Sequence, residues 1–236
     1  REAFRVQMSG AGNPMHGKSR KGTFAALKIS QTKRARHQQW GFLGGEKTHS
    51  TVFTRIYRAF KHGRLVRPRG ELVLELENFS YVLPPRVRFQ NFEARKLNLS
   101  YIKSELLWYL KGDRLDTSIC EKAKMWQGLV NIDGSINSNY GQYVFGAQNQ
   151  FDNVVRTLVA DKDSRRASIM ILDRHHLASD TRDVPCTYAM NFRIRDGKLN
   201  MSVHMRSQDA IYGMGNDAPA FSVIHEMVLC ALQHVY

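Results

Sequence analysis

The chain has 236 residues, of which 42% are hydrophobic and 10% aromatic, so it can bury a sizeable core as one domain, with or without a tail. It contains no apolar run near the roughly 18 residues of a membrane span, no signal-peptide pattern, and three widely spaced cysteines that favour neither disulfides nor zinc. We therefore expect a soluble protein of a reducing, cytoplasmic compartment with no membrane partner, whose net charge of +14 is the unusual feature.

Residues 1–48 form the first segment and carry more than half of the excess positive charge. Ten Lys or Arg residues stand there against two acidic ones, a net charge of +8. The segment is rich in Gly, Ser and Gln and lacks sustained apolar periodicity, which predicts a basic, flexible extension outside the folded domain. Two interpretations stay open: a solvated tail, or a contact with nucleic acid or a larger assembly.

The folded domain is predicted to span residues 49–236 and to begin with a helix and a short strand. Ser and Thr at residues 50–51 can cap a helix whose apolar positions recur at helical spacing, and Gly63 is placed to end it. The turn at residues 67–70, which contains two arginines, then leads into a strand at residues 72–76.

Residues 97–111 are predicted to form a buried amphipathic helix that carries a carboxylate at a packing position. The expected apolar face consists of Leu99, Ile102, Leu106, Leu107 and Leu110. A glutamate on a helix is normally solvated, but Glu105 is flanked by apolar neighbours within this run. We therefore expect its side chain to need a partner or a raised pKa.

Two adjacent arginines lie between a predicted helix and a predicted strand. The helix covers about residues 151–160, and residues 167–172 form a continuous apolar run typical of a strand. Arg165 and Arg166 would then lie where the strand begins, and paired guanidinium groups are well suited to a phosphate. The alternative is an ion pair with an aspartate of the same loop.

A hairpin follows, and it brings a cysteine close to an arginine. Asp196 and Gly197 separate two runs of alternating apolar residues, which is a strong hairpin signal. Cys186 and Arg206 would begin and end the two antiparallel strands. A thiol beside a guanidinium group has its thiolate favoured, as a nucleophilic cysteine requires. Residues 220–232 are predicted to form a further helix.

These motifs, in this order, resemble the thymidylate synthase superfamily and, within it, the branch of the bacteriophage deoxycytidylate hydroxymethylases. The segments that carry the resemblance are Ser104–Tyr109, Trp126-Gln127, Asn137–Gly141, Asp163–Arg166, Pro185-Cys186 and Arg206-Ser207-x-Asp209 with Gly213. They cover roughly residues 50–232. The resemblance implies an α/β fold with a large mixed sheet, flanked by helices and packed against a twofold mate.

The resemblance also implies a reaction and a set of residues for it. The expected chemistry is transfer of a one-carbon unit from 5,10-methylenetetrahydrofolate to C5 of a pyrimidine nucleoside monophosphate, without a metal, in the synthesis of modified nucleotides. Cys186 would attack C6 of the base, Glu105 would organise water and proton transfer, and Tyr140 would lie near the cysteine. The folate contacts would be Trp126 and Asp209. Without the resemblance, Trp126 and Tyr140 are equally consistent with core packing.

Phosphate binding is expected from several basic residues. By the resemblance, the phosphate ligands are Arg165, Arg166, Arg206 and Ser207, together with Arg67 or Arg69 from the turn that contains Gly70. In the family the arginine pair reaches across the dimer interface to the partner subunit's nucleotide. The choice between Arg67 and Arg69, or a plain surface role for both, stays open.

Asp217 predicts which base is bound. The matching position in thymidylate synthases is an asparagine, which suits uracil, whereas a carboxylate accepts hydrogen bonds from the amino group of cytosine and from a protonated N3. Thr187, after the nucleophile, also matches the hydroxymethylase branch. We therefore expect 5-hydroxymethylation of dCMP. Methylation of dUMP or dCMP is the alternative, and the sugar and the final acceptor, water or hydride, stay open.

The ends of the sequence suggest a second hypothesis. Family members continue beyond the last predicted helix, so we expect the C-terminal part of the family fold to be missing from a chain that runs from Arg1 to Tyr236. A non-catalytic descendant that binds nucleic acid or an assembly is therefore the alternative to an enzyme. The retention of the whole set of site residues favours the enzyme.

Overall fold

The structure is a computed structural model, and it describes most of the chain beyond residue 54. The described residues are 5–6, 55–56, 58–89, 97–177, 181–233 and 235. The expected helix cap at residues 50–51 and nearly all of the basic segment lie outside them. Within this described part, no helix is both long and apolar enough to cross a membrane.

A five-stranded mixed sheet forms the centre of the fold. The strands among the described residues are β1 (Arg5–Val6), β2 (Arg64–Val66), β3 (Val73–Glu75), β4 (Phe79–Ser80), β5 (Ser168–Met170), β6 (Thr187–Arg195) and β7 (Lys198–Met205). The sheet has the order β4-β1-β7-β6-β5, in which only β1 and β7 run parallel, while β2 and β3 form a separate antiparallel ribbon. The predicted mixed α/β architecture is confirmed.

Two residues of the predicted N-terminal extension belong to this sheet. Arg5 pairs with Ser80 of β4 and with His204 of β7. The sequence predicted that all of residues 1–48 lie outside the folded domain. Residues 5–6 instead pair with strands of its sheet. For the remainder of residues 1–48, the division at residue 48 stays a prediction.

The predicted hairpin is present and fixes the position of the candidate nucleophile. Strands β6 and β7 pair from Thr187 with Met205 to Arg195 with Lys198. The turn residues Asp196 and Gly197 have φ values of 52° and 66°, as in the turns that match the twist of a tight hairpin.

Within the part of the chain that the structure describes, four α-helices have defined bounds. They are α1 (Leu99–Lys111), α2 (Gly141–Val144), α3 (Gln150–Ala160) and α4 (Tyr212–Leu232). Helix α3 packs on β5 and α4, and α1 packs on α2 and α4. Residues 55–56 and 58–59 are also helical and lead into a 3₁₀ turn that ends at Gly63, as expected.

Two helices differ from the sequence prediction. Helix α4 begins eight residues before residue 220, because the Asp209 carboxylate accepts hydrogen bonds from the first backbone N–H groups of the helix. In α1 the expected apolar face is wrong in part: Ile102 is buried and Leu106 packs against the core, but Leu99, Leu107 and Leu110 are 61%, 51% and 45% exposed.

The buried face of α1 combines Ile102 of the expected face with three side chains outside it. It consists of Ile102, Glu105, Trp108 and Tyr109. The Trp108 ring lies 5.2 Å from the Trp126 ring, edge to face, and Tyr109 stacks on Tyr140 at 5.5 Å. Because aromatic side chains bury more area than leucine, they determine which face of the helix points inward. This orientation places Glu105 in the interior.

Candidate active site

Cys186 lies immediately before β6, and Arg206 lies immediately after β7. The Arg206 backbone N–H donates to the Cys186 carbonyl at 2.8 Å. Its guanidinium group donates to the carbonyls of Pro185 (Nε, 3.0 Å) and Val184 (Nη2, 2.7 Å). The hairpin and these hydrogen bonds hold a positive charge beside the half-buried thiol.

The electrostatic state of the thiol differs from the expectation. Burial raises the pKa of Cys186 above its usual value, and the nearby carboxylates Asp217 and Asp183 raise it further. Arg206 and, more weakly, Arg69 lower it without reversing the shift. The guanidinium groups favour the thiolate, as expected, but desolvation outweighs their effect, so the net shift of the Cys186 pKa is upward.

The structure separates the two arginines of the turn before β3. Both are exposed, and Arg69 has a left-handed backbone, with a φ of 52°, in the 3₁₀ turn Pro68–Gly70. The charge of Arg69 is among those with the largest effect on the Cys186 pKa, whereas Arg67 is not among them. Arg69 is therefore the better placed of the two to contact a ligand bound at the cysteine.

Glu105 is buried and linked to two aromatic side chains. Its side chain is 4% exposed, and its Oε1 accepts a hydrogen bond from the Tyr101 hydroxyl at 2.8 Å. The same hydroxyl accepts one from the Trp126 indole N–H at 2.9 Å. Oε2 of Glu105 is buried and has no hydrogen-bond partner among the described residues. Burial and the charge of Asp217 raise the pKa of Glu105 from 4.5 to about 8.

Tyr140 is both a core aromatic residue and a neighbour of the candidate nucleophile, the two interpretations that the sequence left open. It is 5% exposed and packs between the Tyr109 and Phe221 rings, at 5.5 and 6.1 Å, as a core aromatic residue does. Burial raises its pKa well above the usual value, and the charges of Asp217 and Cys186 contribute to the shift. The Tyr140 hydroxyl therefore lies in the same electrostatic neighbourhood as the thiol.

Asp217 lies on the first turns of α4 and forms part of a buried hydrogen-bonded chain. The Gln208 amide donates to Asp217 Oδ2 at 3.0 Å, and the Tyr81 hydroxyl donates to Gln208 Oε1 at 3.0 Å. Burial raises the pKa of Asp217 from 3.8 to about 6, while the Gln208 hydrogen bond opposes this shift and the charge of Asp209 adds to it. Asp217 in turn raises the pKa of Cys186, which places the two side chains near each other.

Asp209 and Ser207 lie between the hairpin and α4. Oδ1 of Asp209 accepts hydrogen bonds from the backbone N–H groups of Ile211 (3.0 Å), Tyr212 and Gly213 (3.2 Å). Asp209 thus caps α4, a structural role that the sequence did not predict. Ser207 is half-buried beside it and follows Arg206 directly.

Arg165 and Arg166 are exposed in the loop before β5. Neither forms an ion pair with any residue in the described ranges, so the alternative of a salt bridge to Asp161 or Asp163 is not realised. The positive charges with the largest effect on the Cys186 thiol are those of Arg206 and Arg69. The arginine pair is thus available to a ligand outside its own loop.

The sequence reasoning missed Tyr81, Tyr101, Gln208 and an aspartate that joins two loops of the site. Asp183 is 3% exposed, and its two carboxylate oxygens accept hydrogen bonds from the Ser138 backbone N–H at 2.6 Å and the Ser138 hydroxyl at 2.7 Å. This pair fastens the segment before Cys186 to the segment before Tyr140. No local sequence signal distinguishes Asp183 from a solvated loop residue.

Comparison with known proteins agrees with this geometry. Residues 77–234 match the family model described as thymidylate synthase. The chain belongs to the thymidylate synthase family. Members of this family use methylenetetrahydrofolate as co-substrate, act on pyrimidine nucleoside monophosphates and are typically dimeric.

Several similar curated proteins come from bacteriophages. The chain is 38% identical over 129 residues to the deoxycytidylate 5-hydroxymethyltransferase of Enterobacteria phage T4, covering 51% of this chain and 52% of that protein. It is 27% identical over 199 residues to the deoxyuridylate hydroxymethyltransferase of Bacillus phage SP01, covering 77% and 52%, and 27% identical over 193 residues to that of Delftia phage PhiW-14, covering 76% and 54%. The chain spans about half the length of these relatives.

Proposed function

We propose that the protein transfers a one-carbon unit to C5 of a pyrimidine nucleotide, and that its reaction is 5-hydroxymethylation of dCMP. The observation that carries this proposal is the arrangement of Cys186, Arg206 and Asp217 around one site in a chain of the thymidylate synthase family. This arrangement supports the proposal, because the reaction needs a nucleophile, a cation for the phosphate and a carboxylate that can select a base. A cytoplasmic location belongs to the same proposal.

Cys186 supplies the covalent step. Its thiolate adds to C6 of the pyrimidine, the C5–C6 double bond opens, and the electron pair makes C5 nucleophilic. Once C5 carries the one-carbon unit and has lost its proton, the folate nitrogen would leave to give an exocyclic methylene group. Water would add to this carbon, and the sulfur would then depart from C6 as the C5–C6 double bond returns. Because burial raises the thiol pKa, the thiolate is produced against this shift, and Arg206 stabilises it.

Glu105 is suited to proton transfer at the base. With a pKa of about 8, the carboxyl group carries its proton at neutral pH and can donate it. Oε1 is held by Tyr101, which leaves Oε2 as the oxygen that faces no described partner. A water molecule or a polar atom of the bound ligands at Oε2 would satisfy it.

The one-carbon donor is 5,10-methylenetetrahydrofolate, which supplies an electrophilic carbon to C5. The residues present fit such a group, since the unpartnered Glu105 Oε2 lies in the interior beside the Tyr101–Trp126 pair, where a polar heterocycle can be accepted. Trp126 would pack on the ring system. Asp209 would contact it through the oxygen that does not cap α4.

The phosphate would be bound by Arg206 and Ser207 within one subunit. Arg69 is our choice over Arg67 for an additional contact, because its charge acts on Cys186. Arg165 and Arg166 are exposed and form no ion pair with another described residue. This supports a homodimer in which each subunit completes the other's phosphate site. A nucleic-acid contact of residues 1–48 is not part of this proposal.

The identity of the base, cytosine, is a separate part of the proposal. The comparison with known proteins favours uracil as an alternative. The relatives with the longer matches are named deoxyuridylate hydroxymethyltransferases, so dUMP is the alternative substrate. An ionised Asp217 accepts from the 4-amino group of cytosine but repels the 4-carbonyl oxygen of uracil. This chemistry supports dCMP.

Tritium release from the C5 position tests the proposal. The protein is incubated with [5-³H]dCMP or [5-³H]dUMP, with and without methylenetetrahydrofolate, beside the Cys186→Ser variant. We expect release from dCMP that depends on the co-substrate and on the cysteine, with 5-hydroxymethyl-dCMP as the product. Preference for dUMP would overturn the assigned base, and no release from either nucleotide would remove the catalytic function in favour of a non-catalytic descendant of the fold.

A further inference from the structure

Gln208 is a buried residue of the site to which no role has yet been given. It stands between Ser207 and Asp209 in the segment that joins β7 to α4, and it is 3% exposed. Its side chain bridges Tyr81, which is also 3% exposed, and Asp217. A buried amide with both ends engaged has a fixed position and a fixed direction.

The direction of the amide follows from its two partners. An ionised Asp217 has only acceptor oxygens, so the Gln208 atom that faces Oδ2 at 3.0 Å is the amide nitrogen. Oε1 of Gln208 then faces the Tyr81 hydroxyl, which donates to it at 3.0 Å. With the Tyr81 hydroxyl donating to Oε1, the amide presents an N–H group to the carboxylate.

This hydrogen bond leaves one oxygen of Asp217 available to a ligand. Oδ1 accepts no hydrogen bond from any of the described residues, while Oδ2 is engaged by Gln208. Which base Oδ1 can bind depends on whether the Asp217 carboxyl group is protonated. An ionised carboxylate accepts from the 4-amino group of cytosine, whereas a protonated carboxyl can donate its O–H to the 4-carbonyl oxygen of uracil.

The charged and titratable groups around Asp217 come from every neighbouring segment. They are Asp209 before α4, Tyr81 after β4, Tyr101, Glu105 and Tyr109 on α1, Tyr140 before α2 and Cys186 before β6. None of these is a cation, and the negative charge of Asp209 favours the protonated form of Asp217. The Gln208 N–H is the group that opposes protonation.

We propose that Gln208, held by Tyr81, is a specificity-determining positioning residue that keeps Asp217 a hydrogen-bond acceptor, so that the site prefers a 4-aminopyrimidine nucleotide to a 4-oxopyrimidine nucleotide. This inference rests on the proposed function, because it assumes that Asp217 faces the base. It would account for selection of cytosine by Asp217 at neutral pH.

The test compares the ratio of kcat/KM for dCMP and dUMP across pH 5.5 to 8.5 in four proteins. They are the wild type, Gln208→Leu, Tyr81→Phe, and Gln233→Leu at the exposed end of α4 as the matched control. Tritium release gives the rates, and calorimetry gives the Kd ratio of the two nucleotides without turnover.

In the wild type we expect the dCMP preference to fall as pH decreases through about 6, the pKa of Asp217. Gln208→Leu should move this fall to higher pH by about one unit and reduce the preference at pH 7 roughly tenfold. Tyr81→Phe should move the fall to higher pH as well, but by less than Gln208→Leu, because the Gln208 amide remains. Gln233→Leu should match the wild type.

Equal losses for both nucleotides in Gln208→Leu, with an unchanged ratio and an unchanged pH midpoint, would overturn the inference and leave a packing role only. If Gln208→Leu does not fold, Tyr81→Phe decides, and an unaltered ratio in that variant overturns the inference as well. If the wild type releases no tritium but the Kd ratio responds to Gln208→Leu, the proposed reaction fails and the role of Gln208 stands.

Discussion

Replacing Glu105 by glutamine should change stability in a way that depends on pH. Glu105 is 4% exposed, and its pKa is raised from 4.5 to about 8. Between these two pH values the folded protein keeps the proton on Glu105 while the unfolded chain loses it. The folded state then binds more protons, so the free energy of unfolding falls as pH rises through this window.

The size of the effect follows from the pKa difference. Each pKa unit corresponds to about 1.4 kcal/mol, and linkage places about 3 kcal/mol of the loss between pH 5 and pH 8. Glutamine does not titrate. The free energy of unfolding of Glu105→Gln should therefore rise, relative to that of the wild type, by about 3 kcal/mol over this range, while proton transfer at the base is lost and turnover falls about 10²-fold or more.

Urea unfolding at pH 5, 6.5 and 8 measures this difference. Glu121→Gln is the control, because Glu121 is exposed and its replacement should give a difference that is flat with pH. A flat difference for Glu105→Gln as well would refute the reasoning, since it would mean that burial does not hold the proton on this carboxyl group. An unreduced turnover would separately remove Glu105 from proton transfer.

Three further substitutions test the contacts around the site. Tyr101→Phe removes the donor to Glu105, so the alkaline limb of the kcat profile should move to higher pH; an unmoved limb contradicts the contact. Asp183→Ala leaves the buried backbone N–H and hydroxyl of Ser138 without their acceptor and should lower the free energy of urea unfolding by about 2 to 4 kcal/mol. A change below about 0.5 kcal/mol would show that the hydrogen bonds between Ser138 and Asp183 do not stabilise the fold. Gly141→Ala puts a Cβ 1.8 Å from a backbone carbonyl oxygen and should destabilise the fold by about 3 kcal/mol or more in thermal unfolding. Gly128→Ala is the control, because a Cβ at Gly128 has nothing within 4 Å, and it should not destabilise the fold. Equal melting temperatures for the two variants would contradict this prediction.

The elements that could be predicted from the sequence are those determined by neighbouring residues. The turn at Asp196 and Gly197 needs positive φ at both positions, and its sequence specifies this locally, so the β6–β7 hairpin and the closeness of Cys186 and Arg206 follow. The strand predicted at residues 167–172 is present as β5, at the edge of the sheet beside β6.

The orientation of α1 could not be obtained from periodicity. Two overlapping sets of positions are spaced three and four residues apart along this helix, and both contain apolar residues. The packing of Trp108 against Trp126, which lies in a separate 3₁₀ segment, determines which set is buried. That contact depends on tertiary structure, as does the resulting burial of Glu105.

The hydrogen-bonded chains of the site join residues that are distant in the sequence. Tyr81 and Gln208 are 127 positions apart, and Ser138 and Asp183 are 45 apart. Neither pair has a local pattern. The net shift of the Cys186 pKa could not be predicted for a related reason: the sequence indicates which charges flank the thiol, but it does not give the desolvation that outweighs the arginines.

The central claim is that Cys186 forms a covalent bond with the pyrimidine, and mass spectrometry tests it most directly. A fluorine at C5 cannot leave as the proton does, so 5-fluoro-dCMP with the co-substrate should trap the nucleotide on the protein. Peptide mapping should find the nucleotide on the peptide that contains Cys186, and the Cys186→Ser variant should remain unmodified. An unmodified wild-type protein that nevertheless binds the nucleotide, or attachment at Cys120 or Cys230, would contradict the account.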